Sequence, residues 1–219
     1  MDTDTTPHLV WDWNGTLLDD APLIAQAMNA AYRAAGLAPI TYDRYRAAFS
    51  LSSADLIRRT HGTVPDQDAL ARMAAAYHAH YRSGSASLAV DALEALALAD
   101  RQGVPQSLLS LHPAQALSAA LAGHGLADRF TLVTGRTGDA SGGKHPRLLD
   151  HLAALAGAGV APGRVVLIGD TEDDGDAARR AGVRAVLHTG GVQDRAGLAR
   201  AGWPVADSLP AAVRMATAG

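Results

Sequence analysis

From about residue 88 onward, short apolar runs alternate with Ala-rich stretches of helical period. The runs Leu9–Asp12, Val104–Ser110, Phe130–Thr134, Val165–Gly169 and Arg184–His188 read as strands, and a weaker sixth lies near Trp203–Ala206. Interior strands that are almost wholly apolar are buried on both faces, as in a parallel sheet covered by helices. Helices are predicted at about 91–101, 114–122, 146–157, 174–181 and 193–200, with Gly103, Gly125, Gly159 and Gly182 as their C-terminal stops. The pattern predicts an α/β fold with a Rossmann-like parallel core.

Residues 20–87 break the alternation. Ala21–Ala35, Tyr42–Phe49, Ser53–Thr60 and Asp66–Arg82 all read as helices, with no convincing strand among them. Gly36-Leu37-Ala38-Pro39, His61-Gly62-Thr63-Val64-Pro65 and Ser83-Gly84-Ser85 are the linkers. Thr41 and Ser52 are N-cap candidates, the latter with Asp55 three residues on. The expectation is a discontinuous core of residues 1–18 and 88–219, interrupted by an α-helical cap at 19–87.

A chain of 219 residues can build one substantial core, or one core with a small inserted domain. Its 48% hydrophobic and 19% charged residues describe an ordinary globular protein. A net charge of -3 argues against a general nucleic-acid binder. No run approaches the roughly 18 apolar residues that span a bilayer, so no membrane partner is expected. Met1-Asp2-Thr3-Asp4 lacks the basic and apolar regions of a signal peptide. The absence of cysteine removes disulfides, thiolate metal sites and cysteine catalysis, which makes the cytoplasm the default; a monomer or small homo-oligomer is expected. Among 19 basic residues only Lys144 is a lysine, which singles out a place where a compact ammonium is needed.

Four segments carry chemistry. Asp12-Trp13-Asn14-Gly15-Thr16 ends the first strand; an acid leaving a strand into a Gly-containing turn can face a phosphate together with backbone N–H groups. Ser110 ends Ser107-Leu108-Leu109-Ser110, Lys144 lies in Gly142-Gly143-Lys144-His145-Pro146, and Gly169-Asp170-Thr171-Glu172-Asp173-Asp174 ends the fourth strand. Singly each is weak, since Ser110 also suits a helix cap and the acids an N-capping cluster. In this order, at the carboxyl ends of parallel strands, they point to the edge where open α/β sheets bind ligands.

Together the four segments resemble the haloacid-dehalogenase-like hydrolase superfamily, in its C1-capped, phosphoglycolate-phosphatase-like branch, and the resemblance runs the full length of the chain. It implies that Asp12 is the nucleophile, that Ser110 and Lys144 hold the phosphoryl group, and that Gly15, Thr16 and Leu111 join them in binding phosphate. It further implies a Mg²⁺ ion held by Asp12, the Asn14 carbonyl, Asp170 and Asp174, and a small phosphorylated metabolite as substrate. The response-regulator receiver also uses Asp, Ser/Thr and Lys at strand ends, but it lacks a helical insert of this size.

Asn14 departs from the family's Asp-x-Asp pattern. It keeps the backbone carbonyl and the turn, but it cannot shuttle a proton, and losing a positioned acid/base costs about 10²–10⁴-fold. Three readings stay open: a phosphatase favouring leaving groups that need little protonation, a phosphatase with another acid/base such as His112 or a cap residue, or a phosphate-binding protein with vestigial activity. Dehalogenases also lack the second Asp but use no Mg²⁺, which the Asp170/Asp174 loop argues against. Phosphonate hydrolases need a cap lysine, and none exists here.

In the cap, Tyr42, Tyr45, Arg46, Phe49, Ser50, Arg58 and Arg59 are candidate substrate contacts. Arg46 or Arg58 would suit a carboxylate or second phosphate; the plainer reading puts arginines on the wet face and aromatic residues in the small core. His78 and His80 flank a Tyr77/Tyr81 pair at i,i+4 without an acid to complete a metal site. His145 is a candidate phosphate contact. Trp11 and Trp13 are expected to point oppositely if the strand continues there, as packing residues that wall the site, with Trp13 a further substrate contact, and Asp19 and Asp20 to tie down the cap hinge.

Overall fold

The computed structural model describes residues 6–81, 86–138 and 143–218. In chain order, β1 (His8–Trp11) and β2 (Leu18–Asp19) precede four helices, α1 (Ala21–Ala34), α2 (Tyr42–Ala48), α3 (Ser53–His61) and α4 (Gln67–His80). β3 (Ser87–Leu88) leads into α5 (Ala92–Arg101), β4 (Gln106–Pro113), α6 (Ala114–Gly123), β5 (Val133–Arg136) and α7 (Lys144–Gly157). Then come β6 (Val165–Gly169), α8 (Glu172–Ala181), β7 (Arg184–His188), α9 (Arg195–Arg200), β8 (Val205–Ala206) and α10 (Leu209–Thr217).

Six strands form one parallel sheet in the order β5-β4-β1-β6-β7-β8. β1 is central: the chain builds outward through β4 and β5 on one side, then through β6, β7 and β8 on the other. That reversal opens a crevice at the carboxyl ends of β1, β4 and β6. Alternation along β1 feeds two cores. Leu9 and Trp11 pack with Leu108, Ile168 and Leu96 on one face. Val10 packs with Leu109, Leu167 and Leu148 on the other.

Trp13 joins the same core as Trp11, and both rings are fully buried. The expectation that they point oppositely is overturned, because positions two apart on an extended run share a face. Trp13 is packing and is not among the described residues that line the cavity above Asp12.

Several boundaries differ from the pattern, each with a local cause. β5 begins at Val133 rather than Phe130, since the Thr131 N–H and hydroxyl both turn to the Gln106 carbonyl (2.9 and 3.0 Å). β4 runs past Ser110 to Pro113, with an irregular register after Leu109. α7 opens at Lys144, two residues early, because Pro146 is harmless in a first turn. α8 opens at Glu172 through a capping box between Thr171 and Asp174. α9 starts late, at Arg195, because Gln193 turns its side chain to the Glu172 N–H (2.7 Å). Unanticipated were α10 and the β2–β3 pair, whose two-residue strands carry no periodicity.

α1–α4 lie between β2 and β3, whose antiparallel pairing of Leu18 with Leu88 brings the two ends of the insert together. Thr41, Ser52 and Asp66 cap α2, α3 and α4. The expected end of the fourth helix at Arg82, the linker Ser83-Gly84-Ser85 and Gly142 lie outside the described residues. Inside the insert Tyr32, Ile57 and Met73 pack together. Tyr45, Phe49 and Leu56 reach Val192 of the loop after β7, which seats the insert on the sheet edge. No described helix is long and apolar enough to cross a membrane.

Candidate active site

β1 stops at Trp11, but the Asp12 N–H still bonds the Ile168 carbonyl (2.8 Å), so its carboxylate leaves the sheet edge fixed by the strand. Asp170 follows β6, Ser110 lies on β4, Lys144 opens α7 and Asp174 sits in the first turn of α8; all five are buried. The structure brings them together. Lys144 Nζ lies 2.5 Å from Asp12 Oδ1 and donates also to Asp174 Oδ1. Asp174 Oδ2 accepts from Asp170 N (3.2 Å), Thr171 N (3.0 Å) and the Thr171 hydroxyl (2.6 Å). Thr16, fully buried, places its hydroxyl 3.5 Å from Asp12 and 3.4 Å from Asp170.

Burial pushes the Asp12 carboxyl up, against the pull of the Lys144 ammonium. Burial, then the charges of Asp12 and Asp174, pushes Asp170 well up too. Burial alone would lower Lys144; the two carboxylates outweigh it and hold the ammonium above its ordinary value. Fully ionised, the three carboxylates and the one ammonium carry two net negative charges in a dry pocket. That balance fits one divalent cation, and Asp12, Asp170 and Asp174 each offer an oxygen within 4.8 Å of the others. The backbone also closes tightly there. A Cβ on Gly15 (φ 74°) would lie 2.3 Å from the Asp170 carboxylate, and one on Gly191 2.0 Å. Only glycine admits the Asp170 side chain at those two places.

The surroundings of Asn14 were not legible in the sequence. Its Nδ2 donates to Asp20 Oδ2 (2.6 Å) and the Tyr81 hydroxyl (3.1 Å), and its Oδ1 accepts from the Ser110 hydroxyl (3.4 Å). Tyr81 itself donates to Asp20 Oδ2 (2.5 Å), and the Gly15 N–H to Asp20 Oδ1 (2.8 Å). Burial pushes the Asp20 carboxyl up against these donors. Asp20 thus joins the motif turn to the far end of the insert, whereas Asp19 is exposed and only pairs with Ser87 in the β2–β3 ladder. The signal was faint: a second acid next to Asp19, at the last position before a helix.

Other expected contacts scatter. The amides of Gly15 and Thr16 stay within the turn, bonding Asp20 and the Leu18 carbonyl, and the Trp13 carbonyl, respectively, rather than facing outward. Leu111, His112, Tyr45, Phe49 and Ser50 line the cavity above the acids. Burial pushes the His112 imidazole down. His145 lies off the cavity wall. Tyr42 bonds the Gly191 carbonyl (3.4 Å), and Arg46 donates to the carbonyls of Thr189 and Gln193 (3.1 Å for the latter). Arg58 and Arg59 pair with Asp55 at 3.0 and 2.7 Å. On α4, Tyr77 stacks with Tyr81 at 5.6 Å, and His80 bonds the Ala76 carbonyl (2.8 Å).

Fold and site define a Rossmann-like α/β protein with a buried Asp–Lys centre beneath a helical lid. The family model for haloacid dehalogenase-like hydrolases matches residues 6–182. The chain is 28% identical over 190 residues to a phosphoglycolate phosphatase of Rhodobacter capsulatus, covering 84% of this chain and 85% of that protein. It is 31% identical over 191 residues to one of Pectobacterium atrosepticum, covering 84% and 80%. The solved structure of a predicted phosphatase from Clostridium acetobutylicum has the same fold, with a TM-score of 0.77 at 15% identity over 96% of this chain and 97% of that one. This chain belongs to the haloacid dehalogenase-like hydrolase family.

Proposed function

We propose that this protein is a Mg²⁺-dependent phosphatase that hydrolyses phosphate monoesters or acyl phosphates through a phosphorylated Asp12. One observation carries the reading: Asp12, Lys144, Asp170 and Asp174 meet at the switch point of the sheet, with Ser110 beside them through Asn14. The names of the relatives support it. Asp12, the Asn14 carbonyl, Asp170 and Asp174 would hold Mg²⁺, which supplies neutralising charge for the phosphoryl oxygens.

The residues of the chain do the rest. An Asp12 oxygen attacks phosphorus in line, the bond from phosphorus to the leaving oxygen breaks, and water later attacks the same phosphorus to free phosphate and Asp12. Lys144, already donating to Asp12, holds the nucleophile in place and offers its charge to the transferring group. Ser110 exchanges its long bond to Asn14 for a phosphoryl oxygen. Gly15, Thr16 and Leu111 shape the phosphate end, Thr16 through a hydroxyl that lies between Asp12 and Asp170. Asn14 has no proton to give, so acyl and aryl phosphates react better than alkyl esters by about 10²–10⁴-fold. In this reading residues 1–18 and 88–219 form the core and 19–87 the cap of a cytoplasmic enzyme acting on a small phosphorylated metabolite.

The test is p-nitrophenyl phosphate hydrolysis with Mg²⁺ and with EDTA, in the wild type and in Asp12→Asn. Mg²⁺-dependent turnover that Asp12→Asn abolishes is the expected result. Asn14 favours one second reading, a phosphate-binding protein without turnover, which predicts phosphate affinity and no product from any ester.

A further inference from the structure

The space above the acids has a volume of about 740 Å³, and its two ends differ in kind. The floor carries the charged groups. The walls come from the insert and are mostly apolar, with Ile24 and Met28 from α1, Phe49 after α2, Ile57 from α3, and Leu70 and Met73 from α4; Ser50, Ser53 and the Tyr77 and Tyr81 hydroxyls are neutral polar groups among them. Among the described lining residues Lys144 is the only lysine or arginine, and it is committed to Asp12 and Asp174. Arg46, Arg58 and Arg59 are turned to backbone carbonyls and to Asp55. Of the two histidines at the wall, His112 is pushed toward its neutral form by burial and His78 lies exposed on α4.

A substrate with a second anion on its organic part would bury that charge against these walls without a cationic partner, which is strongly unfavourable. An apolar group gains about 25 cal/mol per Å² in the same place. The volume falls in the range of about 300–1,000 Å³ that encloses drug-sized ligands, far beyond the needs of a two-carbon acid.

We propose that the organic part of the substrate is a bulky, uncharged apolar group, an aryl alcohol esterified to the phosphate, whose leaving oxygen needs little of the proton that Asn14 cannot give. The inference rests on the phosphatase reading of the floor, and it separates this chain from the phosphoglycolate specificity in its relatives' names.

The experiment uses the full chain with Mg²⁺ and the series ethyl, butyl, hexyl and octyl phosphate, with 2-phosphoglycolate for comparison. Leaving-group basicity hardly changes along the alkyl series, so the trend reads the walls and not the proton missing from Asn14. The value of kcat/KM should rise by about fourfold per methylene until the far wall is met, and octyl phosphate should exceed phosphoglycolate. Ala74→Trp, at the exposed edge of the cavity on α4, should collapse the octyl-to-ethyl ratio. A flat series, or phosphoglycolate as the better substrate, overturns the proposal.

Affinities of the matching n-alkylphosphonates, measured by calorimetry, decide the question without turnover. Tightening with chain length supports an apolar ligand even if the phosphatase reading fails, and constant affinity overturns it even if turnover is seen.

Discussion

The floor and the walls of one cavity are built by opposite rules. At the floor, charged and hydrogen-bonding groups from distant parts of the chain are held within bonding distance, each fixed by a strand end or a helix start. The walls are amphipathic helices whose apolar faces meet over an open space, with their arginines tied elsewhere. The difference teaches a division of labour. In the proposed reading the sheet edge determines the chemistry, and the insert determines what is attached to the phosphate.

The largest expected effects lie at the floor. Asp12→Asn should lower phosphate release from any ester by at least about 10³-fold. Lys144→Arg should come close to it, because a planar guanidinium cannot occupy a slot built for one ammonium between two carboxylates.

Next in size is an exchange of acids. Asn14→Asp alone places two carboxylates where Asn14 Nδ2 and Asp20 Oδ2 stand 2.6 Å apart, so like-charge repulsion limits the gain. Asn14→Asp combined with Asp20→Asn restores the acid and keeps the hydrogen bond. The double variant should raise kcat on octyl phosphate about 10–100-fold and exceed either single variant. Steady-state kinetics on the four proteins checks the order.

The other end of β1 depends on neutrality instead of charge. His8 Nε2 meets the Ser107 hydroxyl (2.9 Å), which meets His151 Nε2 (2.9 Å), while His151 Nδ1 meets Thr134 (2.7 Å). Burial pushes both imidazoles down to about 4. Since both bind protons more weakly folded than unfolded, stability holds at neutral pH and falls as pH drops from about 6.5 toward 4. Thermal denaturation at pH 7 and pH 5 should show a loss of about 1–2 kcal/mol per histidine. His151→Asn should flatten part of that slope.

The smallest effects belong to the arginines of the insert. Arg46→Ala removes guanidinium bonds to Thr189 and Gln193 and should cost about 1–2 kcal/mol of thermal stability. Arg58→Ala breaks only an exposed pair with Asp55 and should stay within about 0.5 kcal/mol.

How much of this was legible follows from the same contrast. Asp12, Ser110, Lys144, Asp170 and Asp174 could be picked out because parallel strands deliver their C-terminal residues to one edge, so order along the chain becomes proximity in space. Asn14 stood out only against the family pattern. Its bonds to Asp20 and Tyr81 depend on where α4 ends relative to the turn, which no periodicity encodes. The arginines of the insert kept two readings open for a related reason: a helical pattern shows that a side chain leaves the apolar face, not which carbonyl it finds. The Trp11/Trp13 expectation failed on strand geometry alone.

The central claim is that chemistry passes through Asp12. Wild-type protein mixed with Mg²⁺ and acetyl phosphate, acid-quenched, reduced with borohydride and digested, tests it directly by mass spectrometry. A phosphorylated Asp12 is reduced to homoserine, so the account predicts homoserine at position 12 and at no other acid. Homoserine at Asp20 or Asp170 instead, or at no residue while acetyl phosphate is consumed, contradicts it.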